Sequence, residues 1–339
     1  MQRNSGGPIV HIGLGQTGTT SLQLNVFPYI KDLCPEVIYN DIWCMRELAS
    51  KTHEVMTTKD ERLFYDYVNS RNNFISLESL VDWNPRNWVR AADRNLRLFG
   101  NSATIIITVK ETKDYLRSLY QQIVHQGNIW QARDFFINKS EYDKLIKFLP
   151  SAALTRYDVD SFNIEHLYQI YQERFSQVLI VPMSEIKELQ FLKICFKLEE
   201  AEIRYLKSKF DKGKVYNRSY SNTAMLLTFK LEKLLNTIGL KTFGSEYLKV
   251  NKKIDTSTIK ETTEIFMSLD LSAKFRQFPI RIKRRLGYYF KWRGFIQNIF
   301  DRIVPYKKFQ LPNDVYFNDE LIKRNNEFIE KISKSHTKL

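Results

Sequence analysis

Residues 9–23 read Ile-Val-His-Ile-Gly-Leu-Gly-Gln-Thr-Gly-Thr-Thr-Ser-Leu-Gln. A short β-branched run enters Gly13, Gly15 and Gly18, and Thr19-Thr20-Ser21 then opens a helical pattern. Glycine permits a sharp turn and lets the backbone come close to a ligand. The unpaired N–H groups at a helix start point at one spot, which the macrodipole makes partly positive. Strand, glycine turn and helix in this order predict a cradle for a phosphate or sulfate. A purely structural strand-to-helix turn is the plain competing reading. The nucleotide pattern G-x4-G-K-S/T is nearly met by Gly13 and Gly18, but Thr19 occupies its lysine position. A kinase or ATPase without that lysine lacks its main charge on the terminal phosphates.

Outward from the loop, nearly continuous apolar runs alternate with helical patterns. Strands are expected over 8–12, 74–77, 103–109 and 177–181, each reading as a strand covered on both faces. Helices are expected over 19–26, 59–69, 87–98, 113–125, 164–175 and 222–237, with a last one over 318–333. This alternation predicts an α/β protein, a three-layer sandwich around a central parallel sheet with right-handed crossovers. Residues 1–240 read as the core. Residues 241–339 read as a basic, aromatic C-terminal extension packed on it, because no Gly/Ser-rich linker separates the two.

The 339 residues are 43% hydrophobic and 27% charged, the balance of a folded chain rather than a disordered one. Cys34, Cys44 and Cys195 are too few and too scattered for a disulfide framework or a zinc knuckle, so reduced thiols and no metal are expected. No apolar run approaches the roughly 20 residues of a spanning helix, and no signal-peptide core precedes the glycine loop. A cytoplasmic protein, with the inner membrane face as a second placement, is the expectation. The formal charge is +14, and residues 274–308 carry eleven basic side chains against Asp301 alone. Such a surface suits an anionic partner, although basic side chains can also simply cover aromatics beneath them.

Residues 15–23, Gly-Gln-Thr-Gly-Thr-Thr-Ser-Leu-Gln, resemble the Pro-Lys-Thr-Gly-Thr-Thr-Ser-Leu-Gln loop of sulfotransferases that use 3′-phosphoadenosine 5′-phosphosulfate (PAPS), with residues 17–23 identical. Residues 110–120, Lys-Glu-Thr-Lys-Asp-Tyr-Leu-Arg-Ser-Leu-Tyr, are similar to that family's 3′-phosphate motif, Arg-Glu-Pro-x-Asp-x-x-x-Ser-x-Tyr. Residues 217–221, Asn-Arg-Ser-Tyr-Ser, look like the Asn-Arg-Ser-x-Ser stretch of bacterial members, though a helix cap at Ser219 or Ser221 explains part of it equally well. Together these matches span about residues 8–221.

The resemblance implies a P-loop, nucleotide-kinase-like sulfotransferase fold and PAPS as co-substrate, without a metal. It implies that Gly15, Gln16, Thr17, Gly18, Thr19, Thr20 and Ser21 hold the 5′-phosphosulfate. Lys110, Ser118 and Arg218 would hold the 3′-phosphate, with Lys212 and Lys214 behind Arg218. Read alone, Lys110 and Ser118 would be a surface lysine and an ordinary helix serine. Family members carry the base as His or Glu at the end of the second core strand, the place of Glu78 here. The competing reading of Glu78 is a helix-start carboxylate stabilised by the dipole. His11, inside the first strand, reads as a core hydrogen-bonder.

The sequence departs from the family at Gln16, which stands where the catalytic lysine belongs. Glutamine donates a hydrogen bond but carries no charge. Expected acceptors are a hydroxyl or amine of a glycan, glycolipid or small metabolite, anionic or lipid-linked, with peripheral membrane contact through 274–308. Nucleic acid is not an expected partner. The alternatives are a catalytically impaired PAP- or PAPS-binding homologue, a P-loop kinase-like enzyme using Mg²⁺ and ATP, and, last, a nucleic-acid binder carried by the basic window.

Overall fold

In the described chain the elements run β1 (Ile9–His11), α1 (Thr19–Asn25), β2 (Ile38–Tyr39), α2 (Ile42–Ser50), α3 (Thr58–Asn69), β3 (Asn73–Ser76), α4 (Trp88–Phe99), β4 (Thr104–Val109) and α5 (Thr112–His125). They continue with α6 (Ala132–Phe135), β5 (Phe136–Ile137), α7 (Lys139–Phe148), β6 (Tyr157–Asp158), α8 (Ile164–Gln172), β7 (Gln177–Pro182), α9 (Gln190–Phe196), α10 (Glu200–Lys212), α11 (Asn222–Thr237) and α12 (Asp319–His336). The structure, a computed structural model, describes residues 7–50, 56–125, 130–149, 155–213, 219–237, 299 and 303–336.

Five strands form one sheet in the order β2-β3-β1-β4-β7. All four pairings are parallel, with Val10 opposite Ile75 and Ile105 in register. Alternate residues of each strand feed two separate cores. Val10, Ile75, Ile105, Ile107 and Ile180 pack with Phe64, Val68, Ala92, Leu116 and Leu167 of α3, α4, α5 and α8. Ile9, Phe74, Ile106 and Val181 pack on the opposite face with Leu22, Leu192, Ile203 and Leu206 of α1, α9 and α10. Burial on both faces explains why the strands read as unbroken apolar runs rather than as alternating ones. The protein is therefore α/β, with a central parallel sheet flanked by helices.

The four expected strands and seven expected helices occur with ends shifted by a few residues, as helix boundaries commonly are. Strand β2 has only two residues and offers no apolar run to detect; the short β5–β6 pair is of the same kind. Helices α2, α6, α7, α9 and α10 are additions to the sequence reading.

The described C-terminal residues lie against the core. Phe309, Val315 and Ile322 are buried, and α12 packs on α5 and α8. Asn325 clips it in place: its Oδ1 accepts from Ile164 N at 2.9 Å and its Nδ2 donates to Phe162 O at 2.7 Å. Residues 241–298, and with them most of the basic window, lie outside the described residues. Cys34, Cys44 and Cys195 are buried and form no disulfide. No described helix is long and apolar enough to cross a membrane. Among the described residues, no group of three or more His, Cys, Asp or Glu could hold a metal.

Candidate functional site

Strand β1 leads toward β2 on one side of the sheet, whereas β4 and β7 lie on its other side. The chain reverses direction across β1, and a crevice opens beyond the carboxyl ends of strands at such a switch point. A cleft of about 580 Å³ occupies this edge. Gln16, Gly18, Thr19, Thr20 and Ser21 line it from the loop after β1, Glu78 from the turn after β3, and Lys110 and Ser118 from the end of β4 and from α5. Residues far apart in the chain, from Gln16 to Ser219, thus share one cavity, most of them because the loops after parallel strands emerge on one edge.

Backbone conformation shapes the loop. Gln16 has φ 67° and Gly18 φ 81°, both left-handed. Glycine takes this conformation freely, whereas for an L side chain it costs about 1–2 kcal/mol. No side chain caps α1 at Gly18, and the amides of Ser21 and Leu22 turn back to Gly18 O at 3.0 and 3.2 Å. Gly15 borders the cleft: a Cβ there would stand 3.8 Å from Glu78 Oε2 and 3.6 Å from Gln122 Oε1.

Thr17 turns inward. It is fully buried, donates to Leu14 O at 2.5 Å and lies 2.7 Å from Thr108 Oγ1. From Thr108 a polar chain continues through His11 Nε2 (3.3 Å), His11 Nδ1 and Ser76 Oγ (2.7 Å), to the amide of Gln23 (3.0 Å). Burial depresses the His11 pKa to about 3, so the ring is neutral and serves one donor and one acceptor role. His11 is thus a core hydrogen-bonder joining the strands beneath the loop. Gly13 is fixed by this network, since a Cβ there would fall 1.9 Å from Thr108 Oγ1.

Among the polar side chains that line the cleft, Thr19, Glu78, Lys110 and Ser118 stand out by their burial and pairing. Thr19 is 1% exposed and its hydroxyl lacks a hydrogen-bond partner. Burial raises the Glu78 pKa above the usual carboxylate range, opposed by the Thr19 hydroxyl, which approaches the carboxylate without completing a well-formed bond. Lys110 Nζ donates to Ser118 Oγ at 2.9 Å, and Ser118 Oγ donates to Asp114 O at 2.8 Å. Burial lowers the Lys110 pKa, with the Asp114 carboxylate pulling the other way. Asp114 itself is held by Arg117 and by Lys308, the latter at 3.0 Å. Lys110, Arg117 and Lys308 against the carboxylates of Asp114 and Glu111 leave one cation in excess near this end of the cleft, a setting for an anion.

Of the remaining candidates, Arg218 and Lys214 lie outside the described residues. Lys212 ends α10 and is exposed. Ser219 lines the cleft, whereas Ser221 caps α11, accepting from Ala224 N at 3.1 Å. Sequence reasoning missed Met183, Ser184, Ile186, Lys187 and Phe210, which complete the lining. The first four directly follow β7, and the rule that ligand contacts follow parallel strands would have drawn attention to them. Phe210 had no comparable signal, because it reaches the cleft from the face of α10.

The arrangement brings together a glycine-rich loop, a partly desolvated lysine–serine pair and a half-buried carboxylate able to exchange a proton. No protein-family model matches the chain, and a search of curated proteins returned no significant match.

Proposed function

We propose that the protein is a sulfotransferase that moves a sulfuryl group from PAPS to a hydroxyl or amine of a glycan, glycolipid or small metabolite. The observation carrying this reading is that the glycine loop, the Lys110–Ser118 pair and Glu78 line one cleft. The strand order, with the loop directly after the first strand, supports the P-loop kinase-like form of the fold. The loop amides and the partnerless Thr19 hydroxyl fit the 5′-phosphosulfate. Lys110 and Ser118, already joined at 2.9 Å, fit the 3′-phosphate. Met183, Ile186 and Phe210 give the cleft an apolar wall against which a base can pack.

Bound PAPS supplies an activated sulfuryl group. Glu78 would accept the proton of the attacking acceptor, and its burial-raised pKa brings it closer to the neutral range in which a general base works best. The acceptor is proposed to be anionic or lipid-linked, meeting the protein at the inner face of a membrane through the basic segment 274–308.

One observation favours a second reading, a PAP- or PAPS-binding homologue of low turnover. Gln16 lines the cleft at the place of the family lysine and brings no charge. The kinase-like reading retains the cleft but lacks a lysine at position 19. Calorimetric titration with PAP, and with ATP plus Mg²⁺ as comparison, separates these classes. PAP binding is expected; ATP binding without PAP binding would overturn the sulfotransferase reading.

A further inference from the structure

The geometry of the cleft points to Lys187 as the cation that replaces the charge missing at Gln16, gripping the leaving-group end of the sulfuryl donor. This inference rests on the sulfotransferase reading. Lys187 lines the same cleft as Gln16 and Thr19. It sits in a short helical turn, Ile186–Glu188, that follows β7. Ile186 is 4% exposed and presses on the loop: a Cβ on Gly18 would stand 3.2 Å from Ile186 Cδ1. The residue before Lys187 therefore touches the glycine loop itself, which fixes the lysine backbone beside it. Strand β7 runs parallel to β4 with Pro182 opposite Val109, so the segments bearing Lys187 and Lys110 leave the sheet side by side.

Nearby lysines are engaged elsewhere. Lys193 pairs with Glu200 at 2.7 Å, Lys207 pairs with Glu188 at 2.5 Å, and Lys209 lies over the rings of Tyr29 and Tyr205. Among the described residues, Lys187 makes no ion pair. Lys110, hydrogen-bonded to Ser118 at 2.9 Å, is assigned to the 3′-phosphate end of the donor. The Thr19 hydroxyl, buried and without a partner, marks the loop side of the cleft as a place for a polar ligand atom.

In the step this serves, the acceptor oxygen forms a bond to sulfur while its proton passes to Glu78. The bond from sulfur to the bridging oxygen breaks, and its electron pair stays on that oxygen, leaving the 5′-phosphate with one more negative charge. A lysine ammonium is a mobile point charge with three donors and suits an oxygen whose charge grows during the reaction.

The test uses the full chain and two ligands, PAP and adenosine 3′-monophosphate, which lacks the 5′ anion. Lys187→Met is expected to weaken PAP binding roughly 10- to 100-fold, the range for one charge-assisted hydrogen bond. Binding of the 3′-monophosphate should be unchanged. Lys187→Arg should retain PAP affinity, and Gln16→Lys placed in the Lys187→Met chain should recover most of it. An unchanged PAP affinity, an equal loss for both ligands, or no recovery with Gln16→Lys would each overturn the role of Lys187. A wild-type chain that fails to bind PAP would instead overturn the sulfotransferase reading. Lys187 is exposed, so folding of the variants is not at stake.

Discussion

Replacing Lys110 with Met separates ligand binding from folding. The ammonium is removed from water by its surroundings, and its pKa is lowered by that burial. A cation with a depressed folded pKa destabilises the empty protein wherever it is charged in both states, and that cost disappears only as pH rises through the lowered pKa toward the unfolded value. Near neutral pH the Met variant therefore melts no lower than the wild type. Ser118 loses one donor but keeps its own bond to Asp114 O, so no buried hydroxyl is orphaned. Ligand binding moves the other way. A hydrogen bond from a charged group contributes about 1.5–3 kcal/mol. Losing it from a phosphate held by Lys110 and Ser118 raises the Kd for PAP roughly 10- to 150-fold. The assay is calorimetric titration with PAP, alongside adenosine 5′-monophosphate, which lacks the 3′-phosphate and should bind both proteins alike. A PAP affinity unchanged by the substitution would refute the assignment of the Lys110–Ser118 end. A loss shared equally by both nucleotides would refute it too.

Other substitutions probe the remaining parts of the site and its scaffold. Glu78→Gln should lower turnover about 10²- to 10⁴-fold while leaving PAP affinity intact. Because the folded pKa of Glu78 is raised, wild-type stability falls as pH climbs from the ordinary carboxylate pKa through the raised one; the Gln variant should melt higher than wild type above that window and equally below it. Gly13→Ala forces a Cβ onto Thr108 Oγ1 in a closed core and should cost about 1–3 kcal/mol, or prevent folding; adding Thr108→Ala should recover part of the loss in a thermal melt. Asn325→Ala leaves the amide of Ile164 and the carbonyl of Phe162 unpaired, for a loss of about 2–4 kcal/mol in a denaturant titration. An unchanged midpoint there would mean that α12 contributes little to the stability of the core.

Much of this architecture was legible because a parallel sheet leaves a strong chemical trace. Ile105, Ile106 and Ile107 are each fully buried, on alternating faces, so the strand had to be apolar throughout. The glycine loop was legible because close packing demands it at Gly13 and a left-handed backbone demands it at Gly18. Elements without such demands left little trace. Ile38–Tyr39 is long enough to add an edge strand and too short to form a pattern. Helix α10 carries Ile203, Leu206 and Phe210 at helical spacing and stops at Gly213, but its start at Glu199 is marked by none of the usual Ser, Thr, Asp or Asn caps. Within the site, motif matching gave the residues and left their orientation open. Thr17 belongs to the matched loop, yet its hydroxyl serves Leu14 and Thr108 beneath it rather than the cleft.

That inward turn bears on how the loop can lose its lysine and keep its shape. The left-handed backbone at Gln16 is followed by a threonine anchored from below, and the anchor continues through Thr108, His11, Ser76 and Gln23 across three strands and back into α1. None of these bonds involves the side chain at position 16. Loop conformation is therefore set by buried neutral groups, and the side chain at 16 is free to change without disturbing the cradle of amides. On the proposed reading, affinity for an anion and the power to stabilise a leaving group are separable: the first would rest on the loop and on Lys110, the second on whichever cation reaches the bridging oxygen. On that reading, a chain built in this way can exchange a catalytic lysine in the loop for one in the turn after β7 while its binding site remains intact.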